Sequence, residues 1–227
     1  MTTACDHKDE PFFLTYAPSD SAIAYFQNDA GTFAIEQLFH EKSPDTLSII
    51  IPDRKLDYYL NALGLLYDKK DEFIALDSVI NKVHIHKQQR YSTGLGFLVD
   101  TTYQWFKNIR DGLPQSGNTT IDSLAQLYSM AFHTDSFSDL MSANLSSPLN
   151  TYALARLFTT IPGIRSSGPD GYYSWYTNLT FKEGNGEVRI RFYLGYGDCP
   201  SGCGGYDYWD FVVTNDGKIN YKGFTHD

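Results

Sequence analysis

The chain has 227 residues, 42% of them hydrophobic, and a net charge of −9. That is enough apolar material to bury a core, as one large domain or as two small ones packed closely. The acidic balance, with no basic patch and no nucleotide-binding glycine loop, makes phosphate backbones poor partners, so no nucleic acid is expected. No run of about 18 apolar residues occurs, so nothing in the sequence reads as a membrane-spanning helix.

Taken in chain order, residues 1–18 read as a polar leader, broken by Pro11 and Pro18. At up to about 3.5 Å per residue it could hold a domain some tens of Å from an attachment point. Residues 19–40 read as short elements around a turn at Asn28-Asp29-Ala30-Gly31. Leu47-Ser48-Ile49-Ile50-Ile51 reads as a strand ended by Pro52. Leu56, Tyr59, Leu60, Leu63, Leu66 and Tyr67 recur at helical spacing and predict a helix over 53–68, with Asp53 as its cap. Val79 to His86 alternates and predicts a strand, and Gly96–Val99 another, leading into a segment around Trp105. Ile121, Leu124, Ala125, Leu127 and Tyr128 predict a helix over 120–132. Asn150 reads as the cap of a further helix from Thr151 to Thr160, ended by Pro162-Gly163.

The tail is rich in aromatic and β-branched residues. Two alternating segments, 172–181 and 188–194, flank Glu183-Gly184-Asn185-Gly186, and two more flank Asn215-Asp216-Gly217. The expectation is a single α+β domain over 19–227, ending in a four-stranded antiparallel β-meander packed with several helices.

Three cysteines are present. Cys199 and Cys203 sit in Gly-Asp-Cys-Pro-Ser-Gly-Cys, where Pro200 and Gly202 suit a turn that brings the two sulfurs together, as expected in an oxidising compartment. A redox pair or half of a zinc site are the other uses of such a pair. The spacing departs from the thioredoxin type, and no second Cys/His pair completes a zinc set. His84 and His86 would share one face of a strand, as two metal ligands do, but no third ligand is identifiable, so no metal or cofactor is assigned. Asp198, Asp207 and Asp210 cluster around the Cys loop and could act as paired carboxylates; capping turns in solvent is the plainer use. Tyr196, Tyr206 and Tyr208 flank the same loop and are candidate contact residues for sugars or proteins.

The start, Ala4-Cys5-Asp6-His7-Lys8-Asp9-Glu10, resembles the mature N-terminus of an exported lipoprotein of Bacteroidetes-type bacteria. The resemblance implies that Cys5 carries the lipid and that the acidic run directs the protein to the cell surface. The Gly-Asp-Cys-Pro-x-Gly-Cys motif, with Tyr208-Trp209 and Asp216-Gly217 after it, is similar to the ending of uncharacterised exported proteins from the same bacteria, and implies an envelope location. Asp-Ser or Asp-Thr before an Ala, Leu, Val or Thr recurs at Ser21, Thr46, Ser78, Thr101 and Ser123. That pattern resembles the O-glycosylation signal of such proteins, and equally the Asp-Ser pairs of helix starts. With no catalytic set identified, the expected function is a non-enzymatic surface lipoprotein of a Gram-negative cell envelope. It would be lipid-anchored and serve as a binding or accessory subunit beside an outer-membrane protein or a glycan. The alternative is a glycan-directed envelope hydrolase using the carboxylates near the Cys199–Cys203 loop.

Overall fold

The computed structural model describes residues 11–134 and 138–227; Cys5 lies outside them. Among the described residues the helices are α1 (Asp20–His40), α2 (Asp53–Asp68), α3 (Ile74–Asp77), α4 (Gln104–Arg110), α5 (Thr119–Leu127) and α6 (Thr151–Phe158). The strands are β1 (Gln89–Arg90), β2 (Gly94–Val99), β3 (Met130–Thr134), β4 (Leu140–Leu145) and β5 (Ile164–Pro169). They continue with β6 (Tyr172–Tyr173), β7 (Thr177–Gly184), β8 (Glu187–Tyr196), β9 (Gly205–Thr214) and β10 (Ile219–His226). No helix of the described residues is long and apolar enough to cross a membrane.

The protein is α+β, and its contacts divide it into two compact units. The first takes the described residues up to Phe26, Asp57–Gln88 and Ser174–Asp227; the second takes Gln27–Leu56 and Gln89–Tyr173. The first unit contains the expected antiparallel meander, in the order β10-β9-β8-β7. Asn185 and Gly186 both have positive φ, 53° and 71°, which is the two-residue turn that matches strand twist. On one face Val188, Ile190 and Phe192 of β8, Phe211 and Val213 of β9 and Leu179 of β7 are completely buried. Phe181, on that same face, packs its ring 4.7 Å from Tyr59 of α2.

Part of the expected leader belongs to this unit. Residues 11–18 run extended along it, with Phe12 and Leu14 buried. The Phe12 amide donates to Glu183 (2.9 Å) and the Phe13 amide to Asn215 (2.8 Å), so the segment is tied to both hairpin turns. Gly64 makes room for it: a Cβ there would stand 2.5 Å from Pro18. A tether can therefore comprise only residues before Pro11. The expected strand at 79–86 is replaced by a π-helical turn, Ser78–Lys82, and a kink at His84 (φ 54°). The amides of Val83 and Ile85 bond back to Ser78 and Val79, so this backbone satisfies itself locally.

The second unit has its own four-stranded antiparallel sheet, β3-β4-β2-β5, and a short β1–β6 pair. Leu95, Phe97 and Val99 of β2 share a core with Trp105 and Phe106 of α4, Ile121 of α5 and Phe158 of α6. The chain does not turn at Asn28–Gly31: α1 is continuous, and Ala22, Phe26, Ala30, Ala34 and Leu38 are all buried at a helical repeat of four. Asn28 and Gly31 serve a close approach instead. Asn28 accepts from the Ser92 hydroxyl (2.7 Å), and a Cβ on Gly31 would stand 2.6 Å from Ser92 and Pro148. The predicted helix over 120–132 stops at Leu127, and β3 follows after Ser129 at φ 48°.

Leu47–Ile51 is not a strand: one residue takes the carbonyls of Ser48 and Ile49 within it and of Thr46 before it. The Asn150 side chain donates to the carbonyls of Thr46 (3.0 Å) and Ser48 (2.9 Å), and its amide to that of Ile49 (2.9 Å). The Asn150 Oδ1 also accepts from the Ala153 amide (3.3 Å), the expected cap of α6. Asn150 is completely buried. Asn150→Ala should therefore destabilise by about 2 kcal/mol, a cap plus two orphaned carbonyls. Urea unfolding checks it; a change within noise would mean that the loop repairs itself.

Candidate functional site

Alternation along the meander decides which tyrosines can work together. Opposed pairs share a face, and the register sets Tyr206, Tyr208, Asp210 and Val212 of β9 against Gly195, Tyr193, Arg191 and Arg189 of β8. This is the open face, turned away from the buried phenylalanines. It carries a cleft of about 350 Å³, lined by Trp175, Tyr176, Asn178, Arg191, Tyr206 and Tyr208 among others.

Each wall has a cause. The Tyr193 and Tyr208 rings meet at 5.4 Å, nearly edge to face, and the Tyr193 hydroxyl bonds Thr180 on β7 (3.0 Å). The Arg191 guanidinium lies 5.2 Å over the Tyr208 ring. Trp175 and Tyr176 precede β7 and are set by buried Ser174. The Ser174 hydroxyl accepts from the amides of Tyr176 (3.3 Å) and Thr177 (3.0 Å), and its own amide donates to Gln88 (2.7 Å). Trp175 is 50% exposed and Tyr206 36%, so ring surface is presented to solvent.

The disulfide closes one end. Cys199 and Cys203 are bonded, as the sequence led us to expect, and the bridge lies on the backbone of Gly195. A Cβ on Gly195 would collide with the Cys203 sulfur and stand 3.1 Å from both the Cys199 sulfur and the Tyr206 ring. The Cys203 sulfur is 3.8 Å from the Trp175 carbonyl oxygen. Removing the bridge should cost about 2 kcal/mol by the loop-entropy argument. Comparing melts of Cys199→Ser/Cys203→Ser with wild type tests this; equal stability would leave the bridge without a structural role.

Asp210 is the strongest electrostatic feature. It is buried, and Arg191 bonds both of its oxygens (Nε 2.8 Å, Nη2 2.7 Å), as does Arg189 (3.1 and 2.9 Å). Burial alone would raise its pKa, but these four bonds outweigh it and hold the carboxyl below the ordinary aspartate value. The same pairing raises the pKa of Arg191.

The structure does not bring the three candidate carboxylates together. Asp207 has the opposite parity to Asp210 and lies on the other face; Asp198 is exposed in the Cys loop. Tyr196 is also on that other face. It stacks parallel on His226 (5.3 Å), its hydroxyl donates to the Asp227 carbonyl (2.6 Å), and Asp207 lies 2.7 Å from the His226 Nδ1. Carboxylate, imidazole and hydroxyl thus stand in the order of a catalytic relay. The Tyr196 hydroxyl lies 3.0 Å from the His226 Nε2 as well as against the Asp227 oxygen.

His84 and His86 do not share a face: His84 is exposed, while His86 stacks 4.4 Å from Tyr25. No group of three or more His, Cys, Asp or Glu able to hold a metal occurs among the described residues. Of the five Asp-Ser/Thr positions, Ser21 and Ser123 are exposed on helices, whereas Thr46 and Ser78 donate their hydroxyls to the carbonyls of Ser43 and Ile74. Thr101 is half-buried in the turn after β2, where Asp100 accepts from Thr102.

The sequence reading found Tyr206, Tyr208 and the bridge but missed Trp175, Tyr176, Tyr193 and Arg191. Comparison with protein-family models, curated proteins and solved structures gives no match.

Proposed function

We propose that the chain is a non-enzymatic binding or accessory subunit of a Gram-negative cell envelope. It would be lipid-anchored through Cys5 and would dock on an outer-membrane protein or a glycan through the open face of its meander. One observation carries this reading: a cleft of exposed rings, positioned by Ser174 and the Cys199–Cys203 bridge, beside a carboxylate, Asp210, that two arginines engage at both oxygens. Such a surface is built to hold a ligand, and Asp210, bonded at both oxygens, is poorly placed to take up a proton. A pairing of Asp207 with Asp210, one form of the hydrolase alternative, is disfavoured because the two point to opposite faces. Within this reading, exposed Ser21 and Ser123 are the positions best placed to carry O-linked sugars.

Membrane fractionation and capture test the proposal together. Cys5→Ala should move the full-length protein from the membrane to the soluble fraction. Capture from solubilised membranes should yield a ligand or stoichiometric partner that Trp175→Ala loses. Retention of Cys5→Ala on membranes would remove the anchor. Turnover of a glycan substrate, abolished by Asp198→Asn or Asp207→Asn, would reinstate the hydrolase.

A further inference from the structure

Three features of the cleft limit the chemistry of what fills it. The first is charge. Arg191 is the one ionic side chain among the lining residues, and it spends Nε and Nη2 on Asp210. One of the two forked edges with which a guanidinium clamps a carboxylate or phosphate is therefore occupied, and Asp210 offsets its charge. What remains is the Nη1–Nη2 edge, and the Asp227 carboxyl that bonds the lining Tyr208 sets a second negative charge against an anionic ligand.

The second is the set of uncommitted polar groups. Asn178 accepts at Oδ1 from the amides of Gln88 (2.9 Å) and Leu179 (2.8 Å), which turns its NH₂ into the outward group. Together with the hydroxyls of Tyr176 and Tyr206 on the rim, this gives a few single donors and acceptors spread around rings. A ligand rich in hydroxyls satisfies them. A lipid chain would leave them unpaired, at a cost of about 1–3 kcal/mol each.

The third is shape. The cleft holds about 350 Å³, at the small end for ligand sites, and its rings are exposed. A pyranose offers an apolar C–H face to a ring and hydroxyls at its edge, which matches this alternation of flat apolar and single polar groups. Addition of a peptide strand is disfavoured here, because Gln88 already lies against the β7 edge. It donates to Asn178 and accepts from the Ser174 amide.

We infer that the cleft is a subsite for a neutral pyranose, the end of a short glycan. The inference rests on the binding-subunit reading above and names the ligand class of the same site.

The test uses the purified full-length protein and neutral hexose and N-acetylhexosamine di- to tetrasaccharides, followed by calorimetry or ligand-observed NMR. A uronic-acid and sulfated set and proline-rich peptides run in parallel. Binding of a neutral sugar should fall by about tenfold or more, about 1.4 kcal/mol, in Trp175→Ala and in Tyr206→Ala. Tyr206→Phe, which keeps the ring, should retain most of it, and Tyr196→Phe, on the other face, should match wild type. Melting curves of each variant separate lost contact from lost fold. Tighter binding of acidic sugars or of peptides, or neutral-sugar binding indifferent to the cleft variants, would overturn the inference. If no sugar binds but Trp175→Ala abolishes capture of a membrane protein, the sugar assignment falls and the binding-subunit reading stands. If cleft variants alter neither, both fall.

Discussion

Asp210→Ala should be among the most destabilising single changes on the meander, at about 2–3 kcal/mol in urea unfolding. It removes four charged hydrogen bonds and leaves Arg189 and Arg191 facing each other without a counter-ion. The loss falls short of that for a fully buried pair because both arginines reach solvent, with side chains 50% and 38% exposed. A pH dependence follows. The folded carboxyl titrates below its ordinary 3.8, where arginine bonding overcomes burial. A carboxyl depressed in the folded state stabilises it fully above the unfolded pKa, and that stability is lost as pH falls through the folded pKa. The difference between wild type and Asp210→Asn should therefore be level from about pH 5 to 8 and shrink below about pH 4. A difference that stayed constant down to about pH 2 would mean that Asp210 acts by shape alone.

Gly195→Val should be comparably severe, at about 2–3 kcal/mol, because the new methyls must occupy the seat of the disulfide. Thiol counting in non-reducing denaturant should find Cys199 and Cys203 partly free, and Trp fluorescence should report a displaced Trp175. A double-mutant cycle isolates the cause. In a Cys199→Ser/Cys203→Ser background the same valine should cost markedly less, since the clash is with sulfur. Additive effects would place the strain elsewhere on β8.

These expectations arise where sequence and structure agree best. The meander was legible because a sheet buried on one face writes its alternation into the chain, and because Asn185-Gly186 names its turn. Helix α2 was legible for the same kind of reason, through its apolar repeat. Local signals misled where distant residues had claimed the backbone. Nothing in Leu-Ser-Ile-Ile-Ile announces that Asn150, a hundred positions later, will take its carbonyls. Likewise Asn-Asp-Ala-Gly looks like a turn until Ser92 and Pro148 are brought against the helix. In the site, the clustering of tyrosines could be read, but their division between faces could not without fixing the strand start after the Cys loop. Counting in steps of two from Asp210 reaches Tyr208 and Tyr206, and from Arg191 reaches Tyr193. That count was the available signal. Trp175 and Tyr176 had no such signal, because Ser174 and Gln88 place them from outside the ladder.

The docking of Phe12 and Phe13 on the two hairpin turns fixes a polarity. Strand β8 spans ten residues, about 33 Å, from the turn at Gly186 to the end that bears the bridge and the cleft. Pro11 lies at the turn end, where Asn215 meets its carbonyl. The two ends of the meander are thus divided: one receives the chain at Pro11, and the other carries the bridge and the exposed rings.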